Sequence, residues 1–149
     1  MNKFAILING MSLPYQVLDK VLENAKASKK SIKAVFIYEN KDDEDYSEPT
    51  NDDVTNADIS DSNARKNMEH LVNQNADYVE TFFSKKDIPS EIVVLKNPTV
   101  EDIVAAMKDV EKIYIDHSTY DHPDEFAYVN FSFEELDKEL SHKIDKKAQ

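Results

Sequence analysis

The sequence has no cysteine, no tryptophan and a single glycine, Gly10, in 149 residues, where average usage would supply about ten glycines. Without thiols there are no disulfides, no thiolate metal ligands and no cysteine nucleophile. The glycine shortage excludes more. Glycine lets main-chain N–H groups close on a phosphate and lets loops take positive φ, so a glycine-rich phosphate cradle has no counterpart here. Basic residues are few as well: 18 Lys and Arg stand against 30 Asp and Glu, a net charge of −12. Repulsion of that sign opposes nucleic-acid backbones and anionic membrane surfaces, and neither is an expected partner. The apolar run Phe4 to Ile8 is too brief for a signal-peptide core and far below the length of a membrane span. A single cytoplasmic domain over residues 1–149 is the expectation.

What is present alternates in type. Phe4–Ile8 is continuously apolar and stops at Asn9-Gly10, the pattern of a strand covered on both faces. Ser12 is placed to cap a helix, with Pro14 in its first turn and Leu18, Val21, Leu22 and Ala25 at helical spacing up to Lys29-Lys30. Ile32–Tyr38 reads as a second strand. A long helix is expected from about Asp61 or Ser62, with Met68, Leu71, Val72, Ala76, Val79 and Phe83 on one stripe. Ile92–Leu95 is a third strand, and Thr99-x-x-Asp102 opens a short helix as a capping box. Ile113–Ile115 is a fourth strand. Phe126–Phe131 reads as an edge strand, and Ser132-x-x-Glu135 caps a last helix carrying Phe133, Leu136, Leu140 and Ile144. Strands alternating with helices predict an α/β fold: a doubly wound, mostly parallel sheet of four to five strands with helices on both faces.

Between Glu39 and Asp61 periodicity is lost. Ten acidic residues and one basic residue put nine of the net twelve negative charges in this segment. It repels itself and holds little apolar surface, so the expectation is a mobile acidic loop at about 39–61. Calcium ligation by Asp42 to Asp53 is not expected, because the glycine and bidentate glutamate of an EF-hand loop are missing.

The order of a long helix, a strand at Glu91–Lys96, a turn with Pro98, a short helix at Val100–Val110 and a strand at Lys112–Ile115 resembles the second half of a universal stress protein. Phe4 to Ser12 resembles that family's first strand and turn. The resemblance implies a Rossmann-like fold and a homodimer through the C-terminal edge segment 126–133. ATP-binding members carry a loop of the form G-x2-G-x9-G-[ST] after the fourth strand. Those positions fall here on Asp116, Thr119, Val129 and Asn130; none is glycine, and the first is a carboxylate that repels phosphate. Asn9 stands where the family has an acidic residue at the end of the first strand. The expectation is a universal stress protein-like, non-enzymatic, stress-related or regulatory protein with no cofactor, ATP being disfavoured.

The alternative keeps an adenine nucleotide or small metabolite at the carboxyl ends of the strands, near Asn9, Gly10, Ser12, Tyr38, Asp116, Ser118 and Thr119, where open α/β sheets bind ligands. Asp116, His117 and His122 are the sole candidate metal set, in a turn-like stretch whose default reading is a solvated loop. No G-x-S-x-G elbow or other nucleophile arrangement occurs.

Overall fold

Two continuous apolar runs form the centre of one parallel sheet. Strand β1 (Lys3–Asn9) pairs with β2 (Ser31–Tyr38) from Lys3↔Ser31 to Asn9↔Ile37. Both are buried along nearly their whole length, which is why neither shows polar alternation. In this computed structural model the described residues are 3–10, 12–39, 56–116 and 131–145, with backbone alone over 56–66. Helix α1 (Tyr15–Ser28) joins β1 to β2, α2 (Asn56–Ser84) leads into β3 (Ser90–Lys96), and α3 (Val100–Ala106) connects β3 to β4 (Lys112–Tyr114). Helix α4 (Phe133–Leu140) precedes β5 (Ile144–Asp145). The strand order is β3-β2-β1-β4-β5, every pairing parallel.

Side chains alternate between two cores. On one face Phe4, Ile6, Ile8, Ile32, Ala34, Phe36 and Tyr38 meet Val17, Leu18, Val21 and Ala25 of α1 and Val72, Ala76, Val79 and Phe83 of α2. On the other, Ala5, Leu7, Val35, Ile37 and Ile113 meet Ile103, Met107 and Val110, then Phe133, Leu136 and Leu140 of α4. Each fully buried aliphatic side chain contributes about 1.5–3 kcal/mol relative to exposure. Both expected capping boxes form: Thr99 Oγ1 accepts from Asp102 N–H and Ser132 Oγ from Glu135 N–H, each at 3.2 Å, with the acidic side chains accepting in return.

Several boundaries differ from the sequence reading: the short helix expected over Val100–Val110 ends at Ala106, and the fourth strand is Lys112–Tyr114 rather than Ile113–Ile115. Helix α2 begins at Asn56, not near Asp61, so the last residues of the acidic segment 39–61 are helical; residues 40–55 lie outside the described residues. Helix α1 is entered from Pro14 at the N-cap, with no side-chain cap from Ser12, because Pro14 stands one position earlier than a first-turn proline. The fifth strand is Ile144–Asp145, beyond α4. Ile144 therefore belongs to a strand rather than to the last helix: the chain turns at Ser141–Lys143, Lys143 N–H donates to Leu140 O, and Ile113 N–H donates to Lys143 O at 2.7 Å. The expected edge strand Phe126–Phe131 falls outside the described residues except for Phe131, which lies in a bend and is buried.

With one glycine available, left-handed backbone is carried by other residues. Lys29, Asp87 and Asn97 have φ of 56°, 60° and 50°. Lys29 closes α1 in a Schellman arrangement, its N–H donating to Lys26 O and that of Lys30 to Ala25 O.

Candidate functional site

In this strand order the chain leaves β1 toward β2 on one side and reaches β4 on the other. The crevice at the carboxyl ends of β1 and β4 is the switch point where doubly wound sheets bind ligands. Asn9 ends β1, Gly10 and Ser12 form the turn after it, and Asp116 stands two residues beyond β4. Tyr38 ends β2 one strand away, and Glu39 follows it.

Main-chain bonds close this turn from within. Gly10 N–H donates to Ile37 O at 2.8 Å and Ser12 N–H donates to Asn9 O at 3.1 Å. An anion cradle needs such N–H groups turned outward; both of these are committed to the protein. The turn is also roofed by α2. Asn75 Nδ2 donates to Gly10 O at 2.8 Å, and a Cβ on Gly10 would stand 3.0 Å from both γ-methyls of Val72 and 3.3 Å from Ile37 O. The glycine is therefore required for close approach of a helix. Its φ is not positive.

Of the ligand candidates from sequence, the structure brings Asn9, Gly10, Ser12 and Asp116 to the same end of the sheet. Tyr38 is only 6% exposed, within the core that α1 and α2 cover. Glu39 beside it is buried as well, so carboxyl groups just beyond β2 and just beyond β4 stand at this end. Ser118, Thr119, His117 and His122 lie outside the described residues. Among the described residues no three His, Asp or Glu side chains gather as a metal set. Val72 and Asn75 were not legible as site residues. Val72 reads as one more member of the α2 stripe, and only the polar Asn75 beside Ala76 on that stripe's border hints at a main-chain partner.

Two hollows lined by described residues lie elsewhere. One of about 670 Å³ is lined by Lys26, Lys29, Lys30, Lys86, Ile88 and Pro89 among others, and one of about 550 Å³ by Glu80, Ser84, Lys85, Asp87 and Ser90 among others. Both sit at the amino ends of β2 and β3, the end of the sheet opposite the crevice. An ion-pair network spans that same end. Lys3 Nζ bonds Glu91 Oε1 at 2.9 Å and Asp109 Oδ2 at 3.0 Å, and Lys33 Nζ bonds Asp109 Oδ1 at 3.0 Å. The hydrogen bonds from Lys33 and then Lys3 hold the Asp109 carboxyl down at about 2, and Glu91 and Asp109 raise the Lys3 ammonium. These groups bind strands β1, β2 and β3 to the turn after α3; none faces the crevice.

No protein-family model and no curated protein matches the sequence. Solved structures do. The chain is similar to a protein of the universal stress protein family from Burkholderia pseudomallei, with 13% identity, a TM-score of 0.55, and coverage of 87% of this chain and 92% of that one. A universal stress protein from Archaeoglobus fulgidus aligns at 16% identity and a TM-score of 0.46 over 77% of this chain and 74% of that one. No described helix is long and apolar enough to cross a membrane. With five parallel strands in the order β3-β2-β1-β4-β5 and helices on both faces, the chain has the fold of the universal stress proteins.

Proposed function

We propose that this protein is a non-enzymatic, stress-related or regulatory protein of universal stress protein type that acts in the cytoplasm without enclosing ATP. The step from fold to role is an analogy, since one fold serves many functions. The observation that carries the reading is the closed turn after β1. Val72 and Asn75 cover Gly10, and the N–H groups of Gly10 and Ser12 bond to Ile37 O and Asn9 O. A nucleotide at this crevice would find no free N–H on Gly10 or Ser12, a carboxylate at Asp116 where the family's phosphate loop begins, and Asn9 in place of an ionised group for the ribose. A protein that keeps this fold with a helix packed over the turn after β1 and no glycine at the positions of the family's phosphate loop works through its surface.

Thermal unfolding with and without millimolar Mg-ATP tests this. A ligand at 100 times its dissociation constant adds about 2.7 kcal/mol of stability, so binding would raise the melting temperature by several degrees. The expected outcome is no shift; a reproducible rise, saturating with nucleotide, overturns the reading.

A further inference from the structure

Helices α1 and α2 end next to one another at the amino end of the sheet, and both close in the same way. Lys29 N–H donates to Lys26 O and Lys30 N–H to Ala25 O; Asp87 N–H donates to Ser84 O and Ile88 N–H to Phe83 O. Both are Schellman arrangements, with Lys29 (φ 56°) and Asp87 (φ 60°) at the left-handed position that glycine usually takes. These helix-end carbonyls are bonded by main chain. No lysine side chain is needed to cap them.

Lysines gather there all the same. Lys26, Lys29, Lys30 and Lys86 line the hollow of about 670 Å³ between the two helix ends. Lys30 Nζ bonds Glu111 Oε2 at 3.0 Å, whereas Lys26, Lys29 and Lys86 form no ion pair among the described residues. Two helix C-termini together carry about one negative charge, and Asp87 in the lining adds another, so the three unpaired lysines leave the hollow cationic. This reverses the sign of the chain, whose net charge is −12. The acidic run that holds most of that charge begins at Glu39, beyond the far end of β2 and roughly 25 Å away along the strand, well past the ~8 Å over which charge acts at physiological salt. Asp87, Ile88 and Pro89 also line the second hollow, of about 550 Å³, with Glu80, Ser84 and Lys85. One trough therefore crosses buried Ile88 and exposed Pro89, cationic at one end and carrying Glu80 beside Lys85 at the other.

We propose that this trough docks an acidic peptide segment of a partner protein, its carboxylates over Lys26, Lys29 and Lys86, an apolar side chain on Ile88 and Pro89, and neutral or basic residues beside Glu80. Charge complementarity selects this occupant. The three lysines are exposed, and exposed ion pairs contribute little singly, so a lone carboxylate or phosphate is not held. An occupant has to use several lysines and the Ile88–Pro89 floor together, which a peptide does. A uniform polyanion such as a nucleic acid would meet Asp87 and Glu80 as it left the lysines. A peptide carrying acid at one end alone avoids both. The trough lies at the end of the sheet opposite the crevice after β1, so docking here is independent of whether a nucleotide binds there.

Fluorescence anisotropy of the full chain with a fluorescein-labelled peptide, three aspartates followed by a leucine and two lysines, tests this at physiological salt. Saturable binding is expected, at least about tenfold weaker when the aspartates are replaced by asparagines. Lys29→Glu and Lys86→Glu change exposed side chains, and circular dichroism checks that each variant folds. Each should weaken the acidic peptide at least about tenfold. Lys138→Glu makes the same charge change on α4, which packs on the other face of the sheet, and should leave the affinity nearly unchanged. The proposal is overturned by the absence of binding at the highest soluble protein concentration, by equal binding of the asparagine peptide, or by an equal loss in Lys138→Glu. Displacement of the peptide by equimolar pyrophosphate would make the hollow a site for small anions instead, and tighter binding of a single-stranded oligonucleotide of similar length would make it one for nucleic acid; either result also overturns it.

Discussion

Val72 of α2 lies directly on Gly10: a methyl group added to the glycine would stand 3.0 Å from both of its γ-carbons. Because Gly10 does not hold a positive φ, the cost of Gly10→Ala is overpacking, about 1–3 kcal/mol. The same change made in Val72→Ala meets an emptied site. Urea unfolding of the two single variants and the double variant should therefore show strong coupling, the double being less destabilised than the sum. Additive losses would mean that α2 does not press on this turn.

Lys29 holds φ 56° and ψ 48° at the end of α1, a conformation that costs an L-residue about 1–2 kcal/mol and glycine little. Lys29→Gly is expected to stabilise the protein by about 0.5–1 kcal/mol, the greater freedom of glycine in the unfolded chain offsetting part of the gain. Lys29→Ala should give no such increase, which separates backbone relief from loss of charge. Chemical denaturation midpoints at constant m-value decide between them.

The parts of the fold legible in the sequence are those where one period dominates. Phe4–Ile8 reads as a strand covered on both faces and Ile32–Tyr38, rich in branched and aromatic residues, as a second strand, and Val72, Ala76, Val79 and Phe83 mark a helix by their spacing. The two capping boxes are fixed by local hydrogen bonding and appear where Thr99 and Ser132 stand. The first turns of α2 were missed because Asn56 to Asp61 carries four polar residues with Ala57 and Ile59, a composition shared with loops. Strand β5 was missed because two residues show no period, and Ile144 falls four positions after Leu140, where a continuing helix would also put an apolar side chain. The placement of Asn9, Gly10 and Ser12 in the turn after β1 was legible from the strand-turn-helix pattern. The closure of that turn was not, since it depends on which α2 side chain the tertiary packing sets over it.

Asp109 binds both Lys3 and Lys33, and its carboxyl lies near 2 rather than at the usual 3.8. A lowered folded value stabilises the protein above the unfolded value and ceases to do so as pH falls through the folded one. Wild type should therefore exceed Asp109→Asn in stability at neutral pH. The difference should shrink between about pH 4 and pH 2, within the range set by the two values. The Asp109 side chain is 49% exposed, so molar salt should also reduce the difference. Urea unfolding of both proteins across that range, at low and high salt, measures it; a gap independent of pH would assign the loss to packing.

Tyr114 is almost fully buried at the end of β4, its hydroxyl accepting from Asn24 Nδ2 of α1 at 3.0 Å and its ring set edge-on to Phe4 at 5.7 Å. The two ways of breaking this bond are not equivalent. Tyr114→Phe keeps the ring and leaves the half-buried Asn24 amide to water, so the expected loss is about 0.5–1.5 kcal/mol. Asn24→Ala removes the amide donor from the buried hydroxyl, which then keeps only its interaction with Lys112 among the described residues, an expected loss of about 1–3 kcal/mol. The double variant, with both polar groups gone, should be no less stable than Asn24→Ala alone. For a chain of this size each kilocalorie moves the melting temperature by about 2–4 °C, so calorimetry resolves the order. If Tyr114→Phe proves the more damaging change, the hydroxyl has a second role in joining α1 to β4 that its bond to Asn24 does not explain.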